Sequence, residues 1–121
     1  MSTQSPPLTP AAFNVLLALA DGDKHGYAIL KEVAGQTAGE VALSTGTLYG
    51  IIKRLLADGL IVEIRRRPAV LSDDQRRRYY HLTADGREVA VAEARRMEKL
   101  LHRARGKRLF AGFKPLPAEE A

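Results

Sequence analysis

Apolar positions in the first half of the chain recur every three or four residues, which is the spacing of one buried helix face. Three segments between residues 13 and 56 have this pattern. Their apolar positions are Phe13, Leu16, Leu17 and Ala20, then Ile29, Leu30 and Val33, then Leu48, Ile51, Ile52, Leu55 and Leu56. The pattern predicts three short amphipathic helices, each with one buried side.

Capping residues indicate where two of these helices begin and end. Thr9 precedes Pro10, a residue favoured at the first helical position, so the first helix should begin there. Ser44 or Thr45 suits the N-cap of the third helix. Gly59 follows the last apolar residue of that helix, where a left-handed C-terminal cap favours glycine.

After Gly59 the spacing changes to two, which is typical of β-strands. Residues 60–65 alternate in this way, and so do residues 79–82. The sequence therefore predicts a two-stranded hairpin, whose connection at residues 67–76 is too long for a tight turn and should be mobile. Tyr80 and Leu82 share one strand face and are expected in the core, whereas Tyr79 and His81 face the other way.

A long helix is predicted to follow, with Thr83 as its N-cap. Its small and apolar residues repeat with the alternating spacing of a coiled-coil seam. A helix of about 25 residues is roughly 37 Å long, which exceeds the diameter of so small a domain. We therefore expect its distal half to contact a second copy of the chain, through Ala90, Ala94, Met97, Leu101 and Ala104.

The order of these elements predicts a mainly α fold with a small β-hairpin, namely a winged helix-turn-helix with a long C-terminal dimerisation helix. We expect a flexible arm at residues 1–8, the winged helix-turn-helix domain at 9–82, the dimerisation helix at 83–110 and a flexible tail at 111–121. Neither end is expected to join the core.

Charge and composition narrow the function. The 121 residues carry a formal net charge of +5, which suits a polyanionic partner such as nucleic acid. There is no cysteine, and the three histidines lie far apart in the sequence, so we expect no metal and no cofactor. No apolar run is long enough to span a membrane, and we expect a cytoplasmic protein. No acid–base pair, nucleophile motif or phosphate loop indicates an enzyme.

Three blocks of sequence resemble the PadR family of bacterial transcriptional regulators. They are HGYAI at 25–29, STGTLYGIIKRLLADGLI at 44–61 and RRYYHLTADGR at 77–87. The resemblance implies a homodimer held by the C-terminal helix, a recognition helix in the major groove, and repression that a small effector relieves. Position 50, where family members often have proline, is glycine here.

The third helix is the predicted DNA-reading element. Gly50 costs about 0.5 to 1 kcal/mol relative to alanine in a helix, so we expect it to permit close approach to DNA. On any other helix, a small and basic exposed face would be read as ordinary solvated surface. Its position in a helix-turn-helix favours contact with bases and phosphates instead, by Thr45, Thr47, Tyr49, Gly50, Lys53 and Arg54.

Other basic residues are predicted to contact phosphates. Six arginines lie at the two ends of the hairpin connection, where they would repel one another without a polyanion. Asp73 and Asp74 argue against entry of the connection's tip into the minor groove. The predicted phosphate contacts are Arg65, Arg66, Arg67, Arg76, Arg77 and Arg78, together with Lys24 and His25 at the start of helix two.

These observations predict a homodimeric, ligand-responsive repressor that binds double-stranded DNA at a palindromic operator. An effector of unknown identity would bind between the dimerisation helix and helix one and change the separation of the recognition helices. The alternative is a winged-helix protein-interaction module that does not bind DNA. Such a module would not bind duplex with a steep salt dependence.

Overall fold

A computed structural model describes residues 8–64 and 78–113. It confirms a mainly helical fold with a small antiparallel sheet and a long C-terminal helix. The elements in chain order are α1 (Pro10–Ala18), β1 (Lys24–His25), α2 (Gly26–Gln36), α3 (Thr45–Ala57), β2 (Ile61–Ile64), β3 (Tyr79–Leu82) and α4 (Ala84–Gly106).

Each helix begins at a side chain that accepts a hydrogen bond from its first turn. Ser44 Oγ accepts from the Thr47 amide at 3.1 Å, and Thr83 Oγ1 accepts from the Gly86 amide at 2.9 Å. Thr9 caps α1, and His25 caps α2 through Nδ1. These caps satisfy amides that would otherwise lack a helical partner.

The predicted hairpin is confirmed, since β2 and β3 pair antiparallel, but the sheet has a third strand, β1, that was not predicted. The strand order is β1-β3-β2, with Lys24 opposite Tyr80 in one pair and Ile61 opposite Leu82 in the other. β1 has only two residues and no alternating pattern, so its pairing with β3 defines it. The sheet thereby joins the start of α2 to the predicted wing.

One apolar core lies between α1, α2, α3 and the sheet. Tyr80 and Leu82 are buried in it, as predicted. Leu17 is 44% exposed, although its spacing suggested burial, and Leu8 packs against the core although it was assigned to the flexible arm. The buried apolar residues are Val15, Leu16, Ala18, Leu19, Ile29, Val33, Leu48, Ile52, Leu55, Ile61, Tyr80 and Leu82.

The first turns of α4 pack against the rest of the domain. A Cβ at Gly86 would overlap the carbonyl oxygen of Leu60, so glycine permits this close contact. Arg87 donates a hydrogen bond to the carbonyl of Ala20 at 3.0 Å. Ala90, which was predicted in the dimer seam, packs instead against its own core. Beyond Glu93 most of α4 is exposed.

Candidate nucleic-acid interface

One face of α3 is open to solvent while the other anchors the helix. Leu48, Ile52 and Leu55 point into the core and are at most 2% exposed. The helical period therefore turns the intervening residues outward. All the predicted DNA-reading positions are exposed, namely Thr45, Thr47, Tyr49, Gly50, Lys53 and Arg54.

No neighbouring group in the described residues accounts for Gly50. A Cβ at this position would meet no atom within 4 Å, and the same holds for Gly46, one turn earlier. Two positions without side chains, four residues apart, leave the backbone of α3 accessible along one line. Gly46 was not predicted from the sequence, although it is also a glycine within a helix and has the same helix cost as Gly50.

Hydroxyl groups surround the N-terminus of α3. Ser44 Oγ donates to Thr47 Oγ1 at 2.9 Å while it caps the helix. Thr45 is the first helical residue and is exposed. The positive end of the helix dipole and these hydroxyl groups together favour an anionic group such as a phosphate.

Tyr49 connects α3 to the start of α2. A Cβ at Gly26 would overlap the hydroxyl end of the Tyr49 ring, so the two helices approach closely here. Tyr49 nonetheless remains 46% exposed. Burial raises the pKa of the neighbouring Tyr80, and the charges of Tyr49 and Glu63 raise it further. The Tyr80 hydroxyl therefore stays protonated beneath this surface.

Two cations follow one turn after Gly50. Lys53 is exposed and forms no ion pair within the described residues. Arg54 is exposed too, with Nε 3.5 Å from Oδ2 of Asp58. An exposed pair of this kind is worth about 0 to 1 kcal/mol, so the guanidinium can readily exchange Asp58 for a phosphate.

Lys24 and His25 have intramolecular roles that the sequence did not predict. Lys24 Nζ donates to the carbonyl of Ala18 at 2.7 Å and to Asp21 at 2.6 Å, and its side chain is only 17% exposed. The hydrogen bond and charge of Lys24 lower the pKa of Asp21. His25 caps α2, and its ring contacts the Tyr79 ring edge-on at 5.3 Å. Both residues organise the start of α2.

Only one of the six predicted wing arginines lies within the described residues. Arg78 is exposed, with Nε 3.6 Å from Oε2 of Glu63 on the adjacent strand. His81 Nδ1 lies 2.7 Å from Oδ1 of Asp23, which connects β3 to the turn after α1. The five outside the described residues are Arg65, Arg66, Arg67, Arg76 and Arg77.

The distal part of α4 presents an apolar face without a neighbour in the described part of the chain. Met97 is 41% exposed, Leu101 44% and Leu100, which the predicted seam omitted, 61%. Glu93 is buried at the proximal edge of this face, where it accepts a hydrogen bond from Arg96. Ala94 is exposed and Ala104 is half-buried.

The described residues contain neither a metal-binding cluster nor a membrane-spanning helix. Residues 8–64 and 78–113 contain no group of three or more His, Asp or Glu side chains that could hold a metal ion. In the same residues no helix is both long and apolar enough to cross a membrane.

Known sequences match most of this chain. The model of the family described as "Transcriptional regulator PadR-like family" matches residues 15–92. The transcriptional regulator Rv3488 of Mycobacterium tuberculosis is 32% identical over 93 residues, which are 77% of this chain and 80% of that protein. A 37.1 kDa protein in transposon TN4556 of Streptomyces fradiae is 42% identical over 89 residues. That match covers 71% of this chain but only 22% of the transposon protein.

Solved structures have the same fold. A PadR family transcription regulator from Clostridium difficile R20291 superposes with a TM-score of 0.66 at 24% identity, covering 78% of this chain and 94% of that one. BpsR of Bordetella bronchiseptica, whose DNA binding is regulated by 6-hydroxynicotinic acid, gives a TM-score of 0.62 at 29% identity. That match covers 89% of this chain and 69% of BpsR.

Proposed function

Because the chain belongs to the PadR-like family of transcriptional regulators, and is thus a DNA-binding regulator, we propose that it represses transcription as a homodimer on a palindromic operator. The exposed face of α3 carries this proposal. It combines hydroxyl groups at a helix N-terminus, two glycines without neighbours, and Lys53 with Arg54 one turn later. Each of these features suits contact with duplex DNA.

The dimer is supported by the apolar face of distal α4. Met97, Leu100 and Leu101 lie along one side of the helix, in continuation of the side that packs on the core through Ala90. An apolar stripe that leaves its own domain is stabilised by a second copy related by a two-fold axis. Two recognition helices would then meet half-sites about one or two helical turns apart.

Regulation by a small molecule is supported by the relative BpsR, whose DNA binding responds to 6-hydroxynicotinic acid. We place the effector of this chain between α4 and α1. These two helices pack against each other, so a ligand between them would change how the two domains are spaced. An operator with fixed half-site spacing would then bind more weakly.

Footprinting on the DNA upstream of the protein's own gene tests the proposal. We expect protection of two half-sites related by symmetry, with affinity that falls steeply as salt increases. A random duplex of equal length is the control and should bind more weakly at the same salt concentration. Equal binding of both duplexes would contradict operator recognition, and no binding of either would favour the protein-interaction module.

A further inference from the structure

A row of cations lies on the outward side of distal α4. Arg95, Lys99 and Arg103 follow one another at intervals of four residues, and all three are exposed. The helical period places them opposite the side that contains Gly86 and Ala90, which packs on the domain. We call these three residues, Arg95, Lys99 and Arg103, the outer basic row.

The positive charge of the chain is concentrated around this row. Residues 94–113 contain seven Lys and Arg and one Glu, a net charge of +6. The whole chain has a formal net charge of +5, so all remaining residues together have a net charge of −1. The winged helix-turn-helix domain at 9–82 has ten Lys and Arg against eight Asp and Glu, a net charge of +2, so most of the excess positive charge lies in residues 94–113.

Among residues 8–64 and 78–113, no carboxylate forms an ion pair with the outer basic row. In the described part of the chain, the side chains of Arg54, Arg78 and Arg96 each have an acidic partner within 4 Å. No such pair involves Arg95, Lys99 or Arg103 among the same residues. Three like charges spaced about 6 Å apart along a helix repel one another unless an extended anion lies across them.

The shape of the row favours duplex DNA as that anion. The row is about 12 Å long, and a duplex presents one phosphate charge per about 1.7 Å of its axis. An anionic membrane would bind a helix through basic and apolar residues together. Met97 and Leu101 lie on the side of α4 opposite to the row, where the proposed dimer buries them.

The row and the reading face of α3 lie on different helices. α1 packs against both α3 and α4, and each of these two helices turns its apolar side inward. The open side of each helix is therefore the side turned away from the core. A duplex bound at α3 would leave the outer basic row free for another segment of DNA.

We propose that the outer basic row binds the phosphates of a second duplex, so that the protein joins two segments of DNA. This contact reads no sequence, because its side chains are long cations without a groove-fitting element. It extends the proposed function and rests on it for the first duplex and for the dimer that buries Met97 and Leu101. Its expected effect is the pairing of operator DNA with distant or separate DNA.

A capture experiment tests this. Operator duplex is fixed to beads, the protein is bound, and a labelled duplex without operator sequence is added. We expect wild-type protein to retain the labelled duplex, with a strong dependence on salt. The triple variant Arg95→Gln, Lys99→Gln, Arg103→Gln should stay on the beads but lose capture, with a salt slope lower by about three.

Matched variants separate charge from position. Lys99→Gln should weaken capture, whereas Lys31→Gln, which removes one exposed cation from α2, should not. Thermal melting of the triple variant should match wild type because all three side chains are exposed. Capture by the triple variant at the wild-type level, or capture lost equally in Lys31→Gln, would overturn the proposal.

Two further outcomes separate this proposal from the proposed function. If wild-type protein fails to bind the operator beads but binds labelled duplex directly, and the triple variant does not, the proposed operator is wrong and the outer basic row is supported. If the protein instead co-floats with vesicles containing phosphatidylserine and duplex does not compete, the row binds membranes and the proposal fails.

Discussion

Gly50 and Gly46 reduce the intrinsic stability of α3 by about 0.5 to 1 kcal/mol each relative to alanine. In the described residues nothing packs against either position, so the core does not require this cost. We propose that the missing side chains permit a close approach of duplex DNA. The atom that matters at each position is the Cβ, because its absence leaves room for the proposed duplex.

We expect Gly50→Leu to raise the melting temperature but to abolish operator binding, because the added side chain would hold the helix away from the groove. Thermal melting and fluorescence anisotropy with operator duplex measure the two effects. Gly35→Leu is the matched control, since Gly35 is also helical, exposed and without neighbours within 4 Å. Tight binding by Gly50→Leu would mean that the glycine has another cause.

The cations of α3 should act on binding without affecting stability. We expect Lys53→Ala and Arg54→Ala each to weaken operator binding and to lower the salt slope by about one, with stability changes within about 0.5 kcal/mol. Asp58→Asn should strengthen binding, because it releases Arg54 from its 3.5 Å pair and removes a negative charge. Lys31→Ala serves as the control. A variant of Lys53 or Arg54 with wild-type affinity removes that residue from the interface.

At the scale of the element, the N-cap of α3 serves both folding and the proposed contact. We expect Ser44→Ala to lower the free energy of unfolding by about 1 kcal/mol, since the Thr47 amide loses its acceptor. Ser44→Asp keeps the cap and adds a negative charge, so stability should be retained while operator affinity falls. Chemical denaturation and anisotropy separate the two. Equal DNA affinity in Ser44→Asp and wild type would place the phosphate elsewhere.

Tyr80 on the central strand β3 makes the stability of the fold depend on pH in the alkaline range. Burial and the neighbouring Tyr49 and Glu63 raise the pKa of Tyr80 above its ordinary value of 10.0. The folded state therefore favours the neutral phenol, and this contribution is intact below about pH 10 and lost as pH rises through the raised pKa. Tyr80→Phe should lose less stability than wild type between about pH 9 and pH 11 in thermal melts. Parallel losses would contradict the assignment.

The sequence predicted the N-caps of α1, α3 and α4 because each cap is a contact between residues close in sequence, but it missed the His25 cap of α2 and extended the last helix beyond its end at Gly106. Ser44 and Thr83 cap α3 and α4 as predicted, and Gly59 has the left-handed φ of +75°. β1 was missed because only pairing with distant Tyr79 and Tyr80 makes two residues a strand. No local pattern contains that information.

In the candidate site, too, local sequence patterns predicted some features and tertiary contacts determined the others. The helical period correctly predicted which residues of α3 are exposed. It could not predict that Lys24 turns inward, because its partners include the carbonyl of Ala18, a backbone group that has no sequence signature. Burial of Glu93 and partial burial of Ala90 likewise depend on the tertiary packing of α4.

At the scale of the whole molecule, the proposed dimer can be tested apart from DNA. We expect Leu101→Glu to dissociate the dimer, because an unpaired carboxylate at the interface costs several kcal/mol and occurs twice. Sedimentation at micromolar protein measures this. His102→Glu adds the same charge on the outward side of the same turn and should remain dimeric. An intact dimer of Leu101→Glu would place the interface elsewhere, most simply at Leu17 on α1.

β3 is the last strand of the winged helix-turn-helix domain to be synthesised, and it is the middle strand of the sheet. Lys24 can pair with Tyr80 only after the whole recognition domain has left the ribosome, and Gly86 can close against Leu60 only after that. During synthesis α1, α2 and α3 can pack on one another, but the part of their apolar surface that Tyr80 and Leu82 cover stays open until β3 has emerged. The order of translation therefore delays completion of the core until β3 and the first turns of α4 have emerged.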